Sequence, residues 1–423
     1  MDRVRIAIIG AGISGLTLSH ALDVFAERYP SLQIDIYEAS SVLSEIGAGI
    51  NIWPRTWRIL KTLGLEEPLL NFLPHIPDDL PRLVFEIRKV DQPEGFHILD
   101  MTTPGGTTRL HRRTLQKILL ACLPEGRLHL SRRLSSYEEL ENEVRLHFTD
   151  GSTATCVMLV GADGIRSIVR QSFVQGSVQD KMDIPTAIGE ASKGDAVWSG
   201  TYAYRGLVPF EKLEESYPNH RAIETPVMHV ICYPLPHERT VNIVAVASYL
   251  EKEGSIHSGP QSTSCDKEED GEVQHLIGVS KWAVMSLVPL ERFSRGRVVL
   301  VGDAAHGMTP HQGAGAGQAI EDVYVLASLL SHKLSNTSTI PRISEIYDAI
   351  RCPIANRVLN LAREAGHITE LIAPGFEDVR EGDADVPQEK LQILFEGLIN
   401  KWKWVWNDSA EDDRLRAIAM LEE

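Results

Sequence analysis

The sequence is short of positive charge, of cysteine and of long apolar runs. Its 42 Lys and Arg face 58 Asp and Glu, a formal net charge of −16 over 423 residues. That balance argues against nucleic-acid binding, which draws on clustered Lys and Arg. It also disfavours residence on an anionic membrane. The five cysteines (Cys122, Cys156, Cys232, Cys265, Cys352) are scattered, with no CxxC pair and no ligand spacing. Neither a disulfide framework nor a metal site is therefore expected. No apolar run approaches the roughly 18 to 20 residues of a membrane span. The chain passes almost at once into the apolar stretch Val4–Ile9, which leaves no room for a secretory signal, and the tail Ala419-Met-Leu-Glu-Glu423 carries no lipidation or peroxisomal signal. These absences lead to the expectation of a soluble, acidic, cytoplasmic protein without stable membrane insertion. No internal repeat is visible. What is present is an ordinary globular composition, 43% hydrophobic and 24% charged, in a chain long enough for one large domain or two connected ones.

Residues 4–38 read as one βαβ unit. Val4–Ile9 is a continuous apolar run, as for a strand buried on both faces of a parallel sheet. Leu18, Leu22 and Phe25 follow at helical spacing, Pro30 and Ser31 mark a break, and Ile34 to Glu38 is the second strand. Arg109 to Leu123 has a helical face of Leu115, Ile118, Leu119 and Cys122. Residues 128–159 alternate around Asp150-Gly151, which predicts a hairpin. Val157-Met-Leu-Val160 and Val298-Val-Leu-Val301 are two more buried-strand runs, the second followed by a helical stripe of Ile320, Val323, Ala327 and Leu330. Strand-like runs also occur at 200–209, 227–233 and 241–248. Residues 251–274 are nearly devoid of large apolar side chains and predict a mobile loop.

The turn Gly10-Ala-Gly-Ile-Ser-Gly15 joins the first strand to the first helix. In such a turn the first glycine permits the tight bend, the second lets the backbone approach a pyrophosphate, and the third lets helix and strand pack closely. The helix N-terminus offers free N–H groups and a positive dipole end to phosphates. Glu38, at the end of the next strand, is placed to accept ribose hydroxyls. This turn by itself does not separate FAD from NAD. The segment Gly302-Asp-Ala-Ala-His306 does: it follows a buried strand, and Gly313-Ala-Gly-Ala-Gly317 then opens a helix. An Asp at that strand end suits a ribityl hydroxyl, and the helix N-terminus can face a flavin edge where negative charge develops on reduction.

With those motifs the sequence resembles the FAD-dependent aromatic-ring hydroxylases, single-component flavoprotein monooxygenases, and most of all their fungal salicylate-hydroxylase-like members. The resemblance covers most of the chain. It runs through Gly10–Gly15, Glu38, Gly47-Ala-Gly-Ile50, His111-Arg112, Gly161-Ala-Asp-Gly-Ile-Arg-Ser167, Tyr204-Arg-Gly206, Gly302–His306 and Pro310-His-Gln-Gly-Ala-Gly-Ala-Gly317. It implies a three-layer FAD-binding α/β domain on a parallel sheet, a glutathione-reductase-like Rossmann variant, with an inserted β-sheet substrate domain and C-terminal helices. The corresponding expectation is an FAD domain from 1–70, 109–180 and 286–370, a substrate domain from 71–108 and 181–285, and a helical segment over 371–423.

The resemblance further implies that Gly10, Gly12, Ser14, Gly15, Ala39 and Gly49 bind FAD, that Glu38 holds its adenosine ribose, and that Arg112 contacts the flavin. Asp163-Gly164 would sit where the pyrophosphate and incoming nicotinamide cofactor meet, Asp303 would hold the ribityl chain, and Pro310, Gly313, Gly315, Ala316 and Gly317 would line the isoalloxazine. On the residues alone, the lesser alternatives are a surface cation for Arg112 and an ordinary turn for Asp163-Gly164. A single glycine fingerprint agrees with the family's use of NADH or NADPH as a transient co-substrate. The activity implied is O2-dependent hydroxylation of a phenol or phenolic acid through a flavin C4a-hydroperoxide. Alternatives are epoxidation or oxidation of a natural-product scaffold, or a flavin-binding NAD(P)H oxidase that does not hydroxylate. Halogenation is disfavoured because no Trp-x-Trp-x-Ile-Pro stretch occurs. A monomer or homodimer is expected.

For the substrate, Arg205 is a candidate partner of a carboxylate, of the cofactors, or of an ordinary salt bridge. Tyr204, and Tyr202 on the same strand face, are candidate wall residues. His311, beside Pro310, is a candidate acceptor of a phenol proton or a structural residue. His229 is a weaker candidate, and His306 is expected to brace its loop. Trp402, Trp404 and Trp406 are expected to cap the FAD domain's apolar surface rather than stack on a ligand. Two departures from the family stand out. The segment between Leu250 and Val279 is short and polar, and Asn51-Ile-Trp-Pro-Arg55 places Trp53 where it is expected to alter the pocket.

Overall fold

A computed structural model describes residues 4–26, 32–43, 49–73, 76–89, 95–178, 194–209, 211–212, 215, 230–235, 239–257, 262–264, 277–377, 379 and 386–423. Its centre is a six-stranded sheet. The order is β17 (Ser294–Arg295), β18 (Val298–Leu300), β11 (Met158–Gly161), β1 (Val4–Ile9), β2 (Leu32–Tyr37) and β7 (Leu128–His129). All neighbours are parallel except β17 and β18. The apolar runs of β1, β11 and β18 are fully buried, as two-sided cover of a parallel sheet requires.

Among the described residues, eleven α-helices accompany the strands: α1 (Ile13–Ala26), α2 (Pro54–Thr62), α3 (Glu66–Leu70), α4 (Arg112–Ala121), α5 (Ile168–Val178), α6 (Asp303–His306), α7 (Gly315–Leu330), α8 (Ile340–Thr369), α9 (Gln388–Trp402), α10 (Trp404–Asn407) and α11 (Ala410–Glu422). Helices α1 and α7 pack on each other, with α8 and α11 against α7. Helix α7 is buried almost all round, so its apolar stripe is wider than the four residues that mark it in the sequence. The fold is the α/β, parallel-sheet class the motifs imply.

Several local expectations shift. Arg109 belongs to β6 (Thr108–His111), and the helix starts at Arg112, where the His111 imidazole accepts the Arg113 N–H. Cys122 lies past its end and is exposed. The Asp150-Gly151 hairpin is present, joining β9 (Val144–Phe148) to β10 (Thr153–Cys156), and β8 (Leu134–Glu139) extends it to a three-stranded meander. The break at Pro30-Ser31 lies outside the described residues.

A five-stranded antiparallel sheet forms the second layer of interest. Its order is β13 (Val230–Leu235), β14 (Thr240–Ser248), β12 (Ala196–Pro209), β16 (Ile277–Leu287) and β15 (Ser262–Ser264). Part of the segment expected to be a loop is thus ordered: 250–252 is a short 3-10 turn and 262–264 pairs with β16. Residues 258–261 and 265–276 lie outside the described residues, as do His229 and residues 227–228. Two smaller ladders, β3 (Gly49–Ile52) with β6 and β4 (Pro81–Lys89) with β5 (Phe96–Pro104), complete the strands.

The C-terminal tryptophans pack differently from expectation. Trp402 lies against Phe85 of β4 and against Trp53, with ring centroids 6.4 and 5.6 Å apart, and Trp406 lies 6.0 Å from Trp53. They share a second apolar core with β4, β5 and α9 rather than capping the main one. The reason is partner supply: β4 and β5 present Val84, Phe85, Ile87, Ile98 and Met101, which need cover. Among the described residues no helix is long and apolar enough to cross a membrane.

Candidate active site

The C-terminal ends of β1, β2, β11 and β18 meet at one edge of the parallel sheet, where ligands bind in open α/β folds. A cavity of about 680 Å³ opens there. The glycine turn forms one wall. Gly10 has φ +106°, and a Cβ on it would lie 2.3 Å from the Ala162 carbonyl oxygen. A Cβ on Gly15 would lie 2.0 Å from the Gly10 carbonyl oxygen. These two positions serve close packing, and Gly15 does not line the cavity. Gly12 does, and nothing stands within 4 Å of its Cβ position.

The second signature comes against the first. Gly302, at φ +60°, passes so near α1 that a Cβ would fall 2.2 Å from Ser14 Oγ. Asp303 then starts α6 with its side chain exposed to the cavity. Glu38 is fixed at the opposite wall: Ala11 N–H donates to one carboxylate oxygen (2.9 Å) and Ser40 N–H to the other (2.8 Å). Each oxygen keeps a lone pair for ligand hydroxyls. Ala39, Gly49, Arg112, Pro310, His311, Gly313, Gly315 and Ala316 also line the cavity.

Three expected residues behave differently. Gly317 does not line the cavity; a Cβ there would fall 2.6 Å from Thr56 Oγ1, so its role is the close approach of α7 to α2. Asp163 lines the cavity, but its carboxylate accepts from Ser167 Oγ–H (2.5 Å) and from the Ile168 and Val169 N–H groups (2.8 and 3.2 Å). It caps α5, and burial pushes its carboxyl pKa up against the lowering by those bonds. The open backbone at Gly164 is what faces the cavity, with nothing within 4 Å of its Cβ position. Tyr204 is absent from the cavity wall, because strand alternation sends it and Tyr202 to the other face, where Lys281 lies over both rings.

That alternation places Arg205 on the cavity side. It is aligned with Val244 on β14, while Ala203 is aligned with Val246 and with Trp282 of β16. Ile231, Phe85 and Trp402 complete an apolar wall. So Trp402, expected only to cap, also reaches the ligand cavity. Trp53 does not; it is 2% exposed and its Nε1–H donates to the Gln312 carbonyl oxygen at 3.2 Å, bracing the flavin-signature turn from behind.

Sequence reasoning missed a cationic rim. Arg132, Arg133 and Arg166 line the cavity with Arg112 and Arg205, a basic wall in an acidic protein and a match for a diphosphate. The only sequence signal was the Arg132-Arg133 pair after β7. Arg170 was also missed. It is 1% exposed and ties three loops together by donating to the carbonyl oxygens of Gly194, Ala304 and Ile165. Burial pushes its guanidinium pKa down to about 10, against Asp163, Asp195 and Asp303.

His306 braces its loop as expected. It is fully buried, its Nε2 lies 2.5 Å from Asp322 Oδ2, and Asp322 also accepts the Gly302 N–H (2.9 Å) and Arg351 Nε (2.9 Å). Arg351 pairs onward with Glu321, Glu321 with Arg55, and Arg55 with Asp413 (3.1, 3.0 and 2.6 Å). The network runs from the second signature to the C-terminal helix. Burial raises the Asp322 carboxyl pKa, but the His306 and Arg351 charges and hydrogen bonds outweigh it and hold it below the usual range.

The cavity suits FAD. The empty space over Gly12 and Gly164 admits phosphates, Glu38 and Asp303 present acceptors, and the Gln312 side-chain amide on the cavity wall has neither its N nor its O partnered among the described residues. Leaving such a group unsatisfied costs about 1–3 kcal/mol.

Residues 3–197 and 259–362 match the family model described as FAD binding domain. The chain is 31% identical to a salicylate hydroxylase of Pseudomonas putida over 99% of this chain and 95% of that protein. It is 30% identical to the FAD-dependent monooxygenase str9 of Strobilurus tenacellus, over 100% and 98% of the two chains. A solved salicylate hydroxylase substrate complex superposes with a TM-score of 0.80, 28% identity and 98% cover of both chains. With the cavity, the two glycine signatures and these similarities together, the chain belongs to the FAD-binding-domain family of flavoprotein monooxygenases that includes the salicylate hydroxylases.

Proposed function

We propose that this FAD-dependent monooxygenase hydroxylates a phenol or phenolic acid held between the β12–β14–β16 sheet and the turn Pro310–Gln312, with Arg205 and His311 as its polar contacts. The observation that carries this reading is the make-up of that part of the cavity. Ala203, Val244, Val246, Ile231, Phe85 and Trp402 offer an apolar wall, with the Arg205 cation on the sheet side and the His311 imidazole on the flavin-turn side. An aromatic acid matches it: the ring is buried, the carboxylate faces Arg205, and the phenol faces His311.

FAD held here would supply the electrophilic oxygen, at the expense of NAD(P)H and O2. This chain's residues do the rest. Arg205 orients the ring, and His311 takes the phenol proton, which makes the ring electron-rich. The apolar wall excludes water. Gly12, Gly164, Glu38 and Asp303 hold the cofactor.

The test is NAD(P)H oxidation by the purified flavoprotein with and without a panel of phenols, salicylate first, with peroxide measured alongside. Substrate-stimulated oxidation with little peroxide and a hydroxylated product is expected. Oxidation that no aromatic stimulates would make the protein an NAD(P)H oxidase and end the proposal. Asp303→Ala should lose FAD on gel filtration. His311→Ala should stay yellow and turn over slowly; a colourless protein would refute the role given to His311.

A further inference from the structure

Behind the cofactor cavity lies a second one of about 360 Å³, and His311 and Thr309 form the wall between them. The second cavity is rich in hydroxyls: Ser199 and Thr201 of β12, Ser248 of β14 and Ser286 of β16 line it, with Asn360 of α8. The Thr201 and Ser248 hydroxyl oxygens are 2.7 Å apart, and Ser248 donates on to Glu370 Oε1 at 2.8 Å. Val197, Leu287, Val288, Pro289 and Leu359 form much of the rest of the lining, so the space is mixed, with its hydroxyls as the groups able to partner water. The cavity reaches the surface at Arg363, whose side chain is 55% exposed and paired with Glu253.

His311 reaches this space because Gly366 has no side chain. A Cβ there would stand 2.6 Å from His311 Cδ2 and 2.7 Å from Nε2. The imidazole therefore lies against α8 and lines both cavities.

We propose that the second cavity is a hydrated conduit through which the proton taken up by His311 leaves for solvent. This rests on the reading of His311 as the phenol's proton acceptor. The phenol O–H bond breaks and an N–H bond forms on His311. The imidazolium then gives a proton to water in the second cavity and returns to neutral; no electrons move.

The experiment uses the FAD-loaded protein and reads exchange of the His311 ring C2 proton for deuterium by mass spectrometry, which depends on the ring's access to water and on its protonation. Ser286→Leu fills the second cavity from a residue that does not line the first. Exchange at His311 should slow by about tenfold, and turnover with salicylate should fall by a similar factor, below what outright loss of a positioned base costs. FAD content should not change. Asn360→Leu, at an exposed position on the same cavity, gives a second variant should Ser286→Leu fail to fold. Unchanged exchange, or slowed exchange with unchanged turnover, overturns the conduit. If His311→Ala itself turns over normally, the base assignment fails instead, and the conduit falls with it.

Discussion

Gly366→Ala should silence the enzyme without unfolding it. The new Cβ would stand 2.6 Å from His311 Cδ2 and 3.1 Å from its Cγ. Carbon atoms settle at about 3.5–4.0 Å, so the ring must retreat by roughly 1 Å. A misplacement of about 1 Å in a reacting group costs on the order of 10²-fold in rate, equivalent to about 2.7 kcal/mol of barrier. Stability should move the other way. Gly366 lies inside the helix Ile340–Thr369, where Ala is favoured over Gly by about 0.5–1 kcal/mol. The assay pairs a thermal melt with steady-state hydroxylation and FAD absorbance. The expected result is an unchanged or raised Tm, normal FAD content and kcat reduced about 100-fold. A kcat within about threefold of wild type, with Tm unchanged, would refute the placement of His311 as the working base.

Gly12→Val should give a colourless protein with an apo-form melt close to wild-type apoprotein, because its side chain would enter empty cavity space. Gly10→Ala should instead destabilise the apoprotein by about 1–3 kcal/mol, since it combines φ +106° with a 2.3 Å approach to Ala162 O; equal melts for the two variants would contradict this division of labour. Asp322→Asn should lower unfolding stability by about 3–5 kcal/mol, because it leaves Arg351 and His306 undercompensated at 0% exposure. A loss under about 1 kcal/mol in chemical denaturation would show the network to be dispensable. Burial raises the Glu370 carboxyl pKa above its ordinary 4.5, opposed by the Ser248 hydrogen bond. The folded state thus holds that proton more tightly than the unfolded chain, a stabilisation present below pH 4.5 and lost as pH rises. Glu370→Gln should therefore gain more Tm over wild type at pH 7 than at pH 4, and the reverse order would refute the sign.

The glycine turns and acids of the candidate cofactor site were legible in the sequence, because their geometry is local. A buried strand, Gly10–Gly15 and a helix specify one turn, and Glu38 follows one strand later at the same sheet edge. The same holds for Gly302 and Asp303 after β18. Misreadings arose where a residue's role depends on what packs behind it. Gly317 carries the look of a flavin glycine, yet its constraint is Thr56 on another helix. Asp163 lies where a ligand contact was expected, yet its carboxylate is used up by the helix it starts. Tyr204 was placed on the right strand and the wrong side, because a period of two gives two faces without saying which one meets the ligand.

What the sequence by itself determined is therefore the fold class, the cofactor and the family, since each rests on short-range patterns of strand, glycine and acid. Only the tertiary structure decided which way β12 turns its side chains, and so that Arg205 rather than Tyr204 lines the cavity. It alone brought Trp402 and Phe85 to the cavity, joined His306 to Asp413 through a buried ion network, and laid His311 on Gly366 between two cavities. The physical reason is separation along the chain. Contacts such as Gly366 with His311 or Arg55 with Asp413 leave no periodic trace, because they arise only when whole elements are packed side by side.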